Sequence, residues 1–262
     1  MTKPVHMSAF EVSAYLNCIR YQGNLQLSRQ NLFALQRQHL LSVPFENLDI
    51  HNHKPIRLDL ESIFRKVVHH NRGGFCYELN GLFYALLTAI GFDAWMISAR
   101  VHKKEGSYSP EFDHMALLVK VDGDTYLVDV GFGSFCLEPL LLRKEVILKD
   151  PHGQFIFDQY DDGHYRISQL EEDEKVPQYI FSTHARKLEE FSPMCQYHQQ
   201  SPQSHFTQKK IISLARENGR ITLSNDRIKI SHAGETEEER FDPILFEKKL
   251  DEIFGIMLMG NY

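Results

Sequence analysis

The sequence offers little that would staple the chain covalently or hold it in a membrane. Its 262 residues include only four cysteines, at positions 18, 76, 136 and 195, with no CxxC pair. A chain of this length buries a core of its own, so it needs no disulfide framework. Each cysteine therefore needs another explanation. No apolar run approaches the roughly 20 residues of a spanning helix. The first seven residues lack the basic-then-apolar order of a secretory signal, so a cytoplasmic, non-membrane protein is expected. The 14 histidines are scattered, with no HExxH or paired-ligand spacing, and no metal is expected. Positive charge is not in excess either. A formal net charge of -6 argues against a nucleic-acid partner. Internal repeats and low-complexity segments are absent, and nothing fixes the oligomeric state.

The patterning that is present starts helical. Ser8 can cap a helix whose apolar positions are Phe10, Val12, Tyr15, Leu16 and Ile19, ending before Gly23-Asn24. Ser28 opens a second helix with Leu32, Leu35 and Leu40. Pro44 forces its neighbour into an extended shape, so Val43-Pro-Phe-Glu-Asn-Leu-Asp interrupts the helical run. After Arg72-Gly-Gly-Phe-Cys comes a single apolar stripe of Leu79, Leu82, Phe83, Leu86, Leu87 and Ile90, closed by Gly91. Cys76 stands at the start of that helix.

Strand patterns then take over at Ala94 to Val101, His114 to Val121 and Thr125 to Val130, the last two joined by an Asp122-Gly123 turn. Shorter runs follow at 155–157 and 164–167. Later ones lie at 211–214, 220–223 and 228–230, and a helix is expected from Pro243 to Phe254. The acidic run Glu235 to Glu239 reads as a solvated turn. Several antiparallel strands after a helical start suggest an α+β class with a small barrel or sheet in the middle.

Chemistry concentrates at Cys76. A thiol is nucleophilic as the thiolate, and a helix start, with its unpaired N–H groups, favours negative charge. Gly73 and Gly74 would let backbone approach a substrate carbonyl, where an amide near Cys76 holds an oxyanion. Free cysteine is also among the most buried residue types, so packing is the ordinary explanation. The hairpin shifts the balance. With a two-residue turn Val121 pairs with Asp124, His114 falls opposite Gly131, and Asp129 lies on the same face, diagonal to His114. Diagonal neighbours are about 7–8 Å apart, within reach of a His–Asp hydrogen bond. A one-residue slip would separate them to opposite faces. Asp129 sits in an otherwise apolar run, an odd place for an unpaired charge. A cysteine-protease-like triad follows. His114 deprotonates Cys76, Asp129 orients the imidazole, and the resting pair is imidazolium and thiolate. Cys18, Cys136 and Cys195 read as packing or surface residues.

Arg72-Gly-Gly-Phe-Cys-Tyr-Glu-Leu-Asn resembles the RGGxCxExN signature of the arylamine N-acetyltransferases. Val43-Pro-Phe-Glu-Asn-Leu is similar to that family's VPFENL segment. Asp129-Val-Gly-Phe-Gly with His114 resembles its His and DxGFG block, and Tyr15-Leu-Asn-Cys-Ile-Arg-Tyr matches its first helix more loosely. The resemblance covers about residues 10 to 140 and is specific as a set. It implies a helical N-terminal domain (1–91), a central antiparallel β-barrel domain (92–190) and a C-terminal α/β lid (191–262), with the active site between the first two. It implies a ping-pong reaction in which Cys76 takes acetyl from acetyl-CoA and an arylamine, arylhydrazine or N-hydroxyarylamine collects it. It also implies that Phe45 and Phe132 line the acceptor pocket, and that Pro110, Glu111, Phe112 and Asp113 lie near CoA and acceptor. Glu46 and Arg72 would pair structurally. Ser201-Pro-Gln-Ser-His-Phe resembles a later SxPxSxF run, which adds Phe206 as a substrate contact. There the chain departs, with Cys195-Gln196 where asparagine is common and Gln200 where threonine is. Its end at Tyr262 is somewhat short for the family. Lys103 and Lys104 are candidates for CoA phosphates, against the ordinary reading of solvated lysines. The same triad would also serve a cysteine peptidase or a transglutaminase-like enzyme, and a non-catalytic binding fold is the remaining alternative.

Overall fold

Ser8 and Ser28 both act as caps, their hydroxyls accepting from the Glu11 and Asn31 amides. They open α1 (Ala9–Cys18) and α2 (Arg29–Ser42) in a computed structural model that describes residues 7–172 and 174–258. The first helix stops one residue short of Ile19, and Phe10 is exposed rather than part of the buried stripe. Pro44 does break the helical run. The chain continues as β1 (Phe45–Glu46), the short helices α3 (Leu48–His51) and α4 (Leu60–Phe64), and a π-helical turn at Arg65–His69. Next comes α5 (Cys76–Ile90). Its stripe of Leu79, Leu82, Phe83, Leu86 and Leu87 is buried, and Gly91 ends it at φ +114°.

The strands β2 (Asp93–Val101), β3 (His114–Val121), β4 (Asp124–Val128), β5 (Leu140–Leu141), β6 (Ile147–Asp150), β7 (Gly153–Asp161), β8 (His164–Glu171) and β9 (Glu174–Phe181) form one antiparallel sheet. Its order is β5-β4-β3-β2-β9-β8-β7-β6. The sheet curls into a nearly closed barrel, with Leu141 and Ile147 on one cavity at the β5/β6 seam. Alternation along β3 divides two cores. Met115, Leu117, Val119 and Val121 pack with α5 and the other helices, whereas Ala116 and Leu118 join Phe155, Phe157 and Phe181 inside the barrel.

After the barrel come α6 (Ser192–Gln200), α7 (His205–Gln208), β10 (Ile211–Arg216), β11 (Gly219–Ser224), β12 (Arg227–His232), β13 (Glu235–Arg240) and α8 (Phe246–Phe254). A second sheet has the order β1-β10-β11-β12-β13, so two residues from the first third of the chain pair with the last third. On one face Ile212, Ile221, Leu223 and Ile228 pack beneath Phe246 and Leu250 of α8. The acidic run expected to be a turn is instead the edge strand β13. Its side chains are exposed, and charge on an edge strand discourages pairing with another chain. The helix expected from Pro243 begins as a single 3-10 turn before α8.

Candidate active site

The β3–β4 hairpin has the register that a two-residue turn dictates. Val121 pairs with Asp124, and the ladder runs to Leu117 opposite Val128, where it ends before Asp129. Leu118 and its partner Leu127 both point into the barrel, so the parity carries His114 and Asp129 to that same face. They meet there, with His114 Nε2 2.7 Å from Asp129 Oδ2 and both residues buried.

Every remaining acceptor site on Asp129 is occupied. Tyr179 donates its hydroxyl to Oδ2 at 3.0 Å, while the Asn80 amide and the Gly131 backbone N–H each donate to Oδ1 at 2.9 Å. A carboxylate held by four donors has the cost of its burial offset by hydrogen bonds. It also fixes the imidazole tautomer, because Nε2 must carry the proton it donates. That leaves Nδ1 as the ring nitrogen free to accept.

Asn80 ties this carboxylate to the nucleophile's helix. It lies one turn after Cys76 on α5, donates to the Met115 carbonyl at 2.7 Å, and accepts from the Val130 N–H at 2.9 Å. Gly131 closes the approach, since a Cβ there would come within 2.7 Å of both the Cys76 Cα and the Asn80 amide nitrogen. The glycines before Cys76 have a different use from the one expected. A Cβ on Gly73 would lie 1.9 Å from the Pro44 carbonyl oxygen, and one on Gly74 would lie 2.8 Å from Glu78 Oε2. Their lack of a side chain serves packing against β1 and the first turn of α5.

Burial pushes the Cys76 thiol well above its usual value. The Met115 backbone N–H pulls it down, and the Asp113 and Asp129 carboxylates push it up again. Desolvation thus outweighs the helix-start effect expected from the sequence. A thiolate in this site must form together with a neighbouring cation.

Beneath the Cys76 turn lies a buried charge cluster. Arg72 grips Glu46 Oε1 through Nε at 3.0 Å and a terminal nitrogen at 2.7 Å, the pairing that the family resemblance implies. Lys66, on the π-helical turn, reaches Asp49 at 2.8 Å and Glu78 at 2.9 Å. Against the cost of burial, the Glu46, Glu78 and Asp49 carboxylates hold its ammonium above the usual lysine value. Glu78 in turn accepts from the Phe75 N–H at 3.1 Å, capping the helix that carries Cys76.

The aromatic residues gather at one opening. Phe132 packs edge-on to His114 with ring centroids 5.0 Å apart, and Phe45 lies 6.1 Å from Phe206. All three phenylalanines line a cavity of about 480 Å³ between the barrel and the second sheet. Pro110 to Asp113 do not line it. The Glu111 carboxylate accepts from the Ser98 hydroxyl at 2.6 Å, which in turn accepts from the Phe112 N–H at 2.7 Å, and Phe112 packs on Phe191. Asp113 Oδ1 lies 3.2 Å from His198 Nε2 of α6, while His198 Nδ1 meets Ser204 Oγ at 3.0 Å. This polar chain anchors the 191–208 segment to the residue before His114. Lys103 and Lys104 sit on an exposed turn and line neither this cavity nor its neighbour.

Sequence reasoning missed Asn80, Tyr179, Lys66 and His198. Asn80 had the best signal, as the closing residue of the RGGxCxExN-like run on the helix that carries Cys76. The other three meet their partners only through long-range packing.

A family model described as N-acetyltransferase matches residues 29–261. The human protein named arylamine N-acetyltransferase 1 is 34% identical, over 95% of this chain and 94% of its own length. A Mycolicibacterium smegmatis arylamine N-acetyltransferase is 32% identical, covering 89% of this chain and 87% of its own. Among solved structures, the Salmonella typhimurium arylamine N-acetyltransferase superposes with a TM-score of 0.90 at 27% identity, covering 97% of this chain and 94% of its own. The Mycobacterium marinum enzyme in complex with CoA gives 0.86 at 27% identity, with 94% and 92% covered. With the fold and the paired motifs around Cys76 in agreement, this chain belongs to the arylamine N-acetyltransferase family.

Proposed function

We propose that the protein transfers acetyl from acetyl-CoA to an arylamine, arylhydrazine or N-hydroxyarylamine by a ping-pong route through an acetyl-Cys76 thioester. The supporting observation is the His114–Asp129 pair, 2.7 Å apart, in a carboxylate saturated with donors and joined through Asn80 to the helix of Cys76. Cys76 gives its proton to Nδ1 of His114, and the sulfur attacks the acetyl carbonyl. CoA leaves as its thiol, taking the proton from His114. The acceptor nitrogen then attacks the thioester, loses a proton to His114, and Cys76 regains its thiol. Asp129 holds the imidazole in the accepting tautomer and stabilises its cation. Because burial opposes a lone thiolate, proton transfer to His114 makes the ion pair as a unit. Segment 1–91 supplies the nucleophile, 92–190 the base and its orienting acid, and 191–262 the cover. Phe45, Phe132 and Phe206 form the aromatic wall for the acceptor, with Pro110 to Asp113 shaping the site from behind.

Intact mass spectrometry tests this directly. Incubation with acetyl-CoA should add a single acetyl group that disappears when an arylamine is supplied. Cys76→Ala should never acquire it, and Cys76→Ser should fold and be nearly inactive. A wild-type protein that takes up no acetyl group, or an acetylated Cys76→Ala variant, refutes the reading.

A further inference from the structure

His114 stands at the very end of the strand that carries it. The ladder between β3 and β4 stops at Leu117, and the ladder between β3 and β2 stops at His114 itself, opposite Ala99. Phe112 and Asp113 lie outside both, so side chains must set the backbone just before the base. That backbone is strained. Phe112 has φ +66°, in the left-handed region that a bulky side chain disfavours. Such a conformation persists only where its surroundings over-determine it. Part of that hold is local to the site. The hydroxyl of Tyr77, the residue after Cys76, donates to the Phe112 and Asp113 carbonyl oxygens at 2.7 and 3.1 Å, and the Ser98 hydroxyl accepts from the Phe112 N–H at 2.7 Å.

The rest comes from α6. His198 is buried, and among the described residues Asp113 is the one group its Nε2 faces, with Oδ1 at 3.2 Å. A carboxylate oxygen only accepts, so Nε2 carries the proton. On the other side of the ring, Nδ1 lies 3.0 Å from the Ser204 hydroxyl, which also accepts from the Phe206 N–H at 3.3 Å. A hydroxyl can donate to Nδ1 while accepting from Phe206. The imidazole also stacks on Tyr77, with centroids 6.2 Å apart, and meets the Phe206 ring edge-on at 5.1 Å. One side chain thus touches both the turn before His114 and Phe206, which lines the 480 Å³ cavity with Phe45 and Phe132. The order Ser204–His198–Asp113 is similar to a hydrolase triad, but the Ser204 hydroxyl is buried and caps α7, which leaves it no substrate to meet.

We propose that His198 is a positioning residue with two separable arms: through Asp113 it holds the strained turn that aims His114, and through Ser204 it holds Phe206 at the acceptor opening. The assignment rests on the acetyl-transfer reading above. The first arm governs acylation, because His114 must meet the Cys76 proton at hydrogen-bond distance, and a small displacement of the base is costly in rate. The second arm governs how the acceptor is bound, because the ring that the Ser204 cap places is part of the wall the acceptor packs against. His198 touches no reacting atom in either step.

The test separates the arms by substitution. A glutamine amide reaches about as far as Nε2, so His198→Gln keeps a donor for Asp113 and loses the Ser204 contact. An asparagine reaches about as far as Nδ1, so His198→Asn keeps the Ser204 contact and loses Asp113. His198→Leu loses both. Two quantities are read by rapid quench and intact mass: the rate at which acetyl-CoA acetylates Cys76, and the arylamine concentration that half-saturates removal of that acetyl group. His198→Leu should slow acetylation and raise the half-saturating arylamine concentration, each roughly tenfold, the loss of one charged or buried hydrogen bond. His198→Gln should keep acetylation within about threefold of wild type while arylamine saturation weakens, and His198→Asn should show the reverse. The two polar variants keep the test available where His198→Leu folds poorly, and thermal unfolding checks each protein. Gln and Asn variants that shift both quantities together, or a folded Leu variant that shifts neither, overturn the assignment while leaving the enzyme reading intact. A wild type that takes no acetyl group from acetyl-CoA removes the reading on which the assignment stands.

Discussion

Replacing Asp129 with Asn should cost far more activity than its near-identical shape suggests. The carboxylate accepts four hydrogen bonds, from His114 and Tyr179 on Oδ2 and from Asn80 and Gly131 on Oδ1. An amide has one oxygen and one NH2 group, so one of these donor pairs must face another donor. If the NH2 group turns toward His114, Nε2 becomes an acceptor and the ring proton moves to Nδ1. That nitrogen then cannot take the Cys76 proton. If it turns the other way, the Gly131 N–H and the Asn80 amide lose their acceptor, and the loop against Cys76 loosens at about 1–3 kcal/mol per orphaned group. The first arrangement removes the base. Tautomer inversion of this kind costs on the order of 10⁴ in rate in a serine-protease triad, about 5.5 kcal/mol. The assay is single-turnover acetylation of Cys76 by rapid quench and intact mass, with thermal unfolding as the control for folding. An Asp129→Asn protein that unfolds near the wild-type temperature and acetylates within tenfold of the wild-type rate would refute the tautomer argument.

Three other outcomes follow from the same geometry. Tyr179→Phe removes one donor to Asp129 without changing the packed ring, and acylation should slow about tenfold; an unchanged rate would show that Tyr179 only fills space. Lys66→Met leaves Glu78 without its cation and Glu46 and Asp49 with Arg72 alone beneath the Cys76 helix, and denaturant unfolding should report a loss of about 3–5 kcal/mol. His39 governs acid stability. It is buried with Nδ1 2.8 Å from the Tyr15 hydroxyl, and burial lowers it from its usual value to about 3. A histidine depressed on folding leaves stability unaffected above pH ~6.5 and removes it as pH falls toward 3, by about 2 kcal/mol at pH 5. His39→Gln should flatten the melting temperature between pH 7 and 5, and an equally steep fall in that variant would assign the effect elsewhere.

The buried thiol puts a constraint on the chemistry. A low-pKa cysteine at a helix start would react with any electrophile that reached it. Here desolvation holds Cys76 as the thiol, so in the proposed reaction its reactivity depends on His114 accepting a proton in the same site. Glu78 and Lys66 fix the helix start from below, and Asn80 fixes the base from the side. The nucleophile is positioned by the protein more than it is activated by the helix.

The parts of this protein that the sequence determined by itself are those set by local periodicity. The apolar stripe of α5 and the glycine that ends it place Cys76 at a helix start. A two-residue turn and the period-2 alternation of strands place His114 and Asp129 on one face, because parity is fixed by counting residues from Asp122-Gly123. Tertiary structure decided what surrounds them. Tyr179 lies 50 residues from Asp129, and Gln36, whose side-chain oxygen accepts from the Asp129 N–H at 3.3 Å, lies 93 away; no local pattern connects either pair. Gly73 and Gly74 signalled close approach but not to what. The approach is to Pro44 and Glu78, which meet them only after β1 folds across the Cys76 loop. The acidic run at Glu235 became a strand because β12 offered an unpaired edge, and backbone hydrogen bonding there outweighed the low strand propensity of glutamate, while the side chains stay in solvent. Periodicity fixes which way a side chain points, and packing at long range fixes what it finds there.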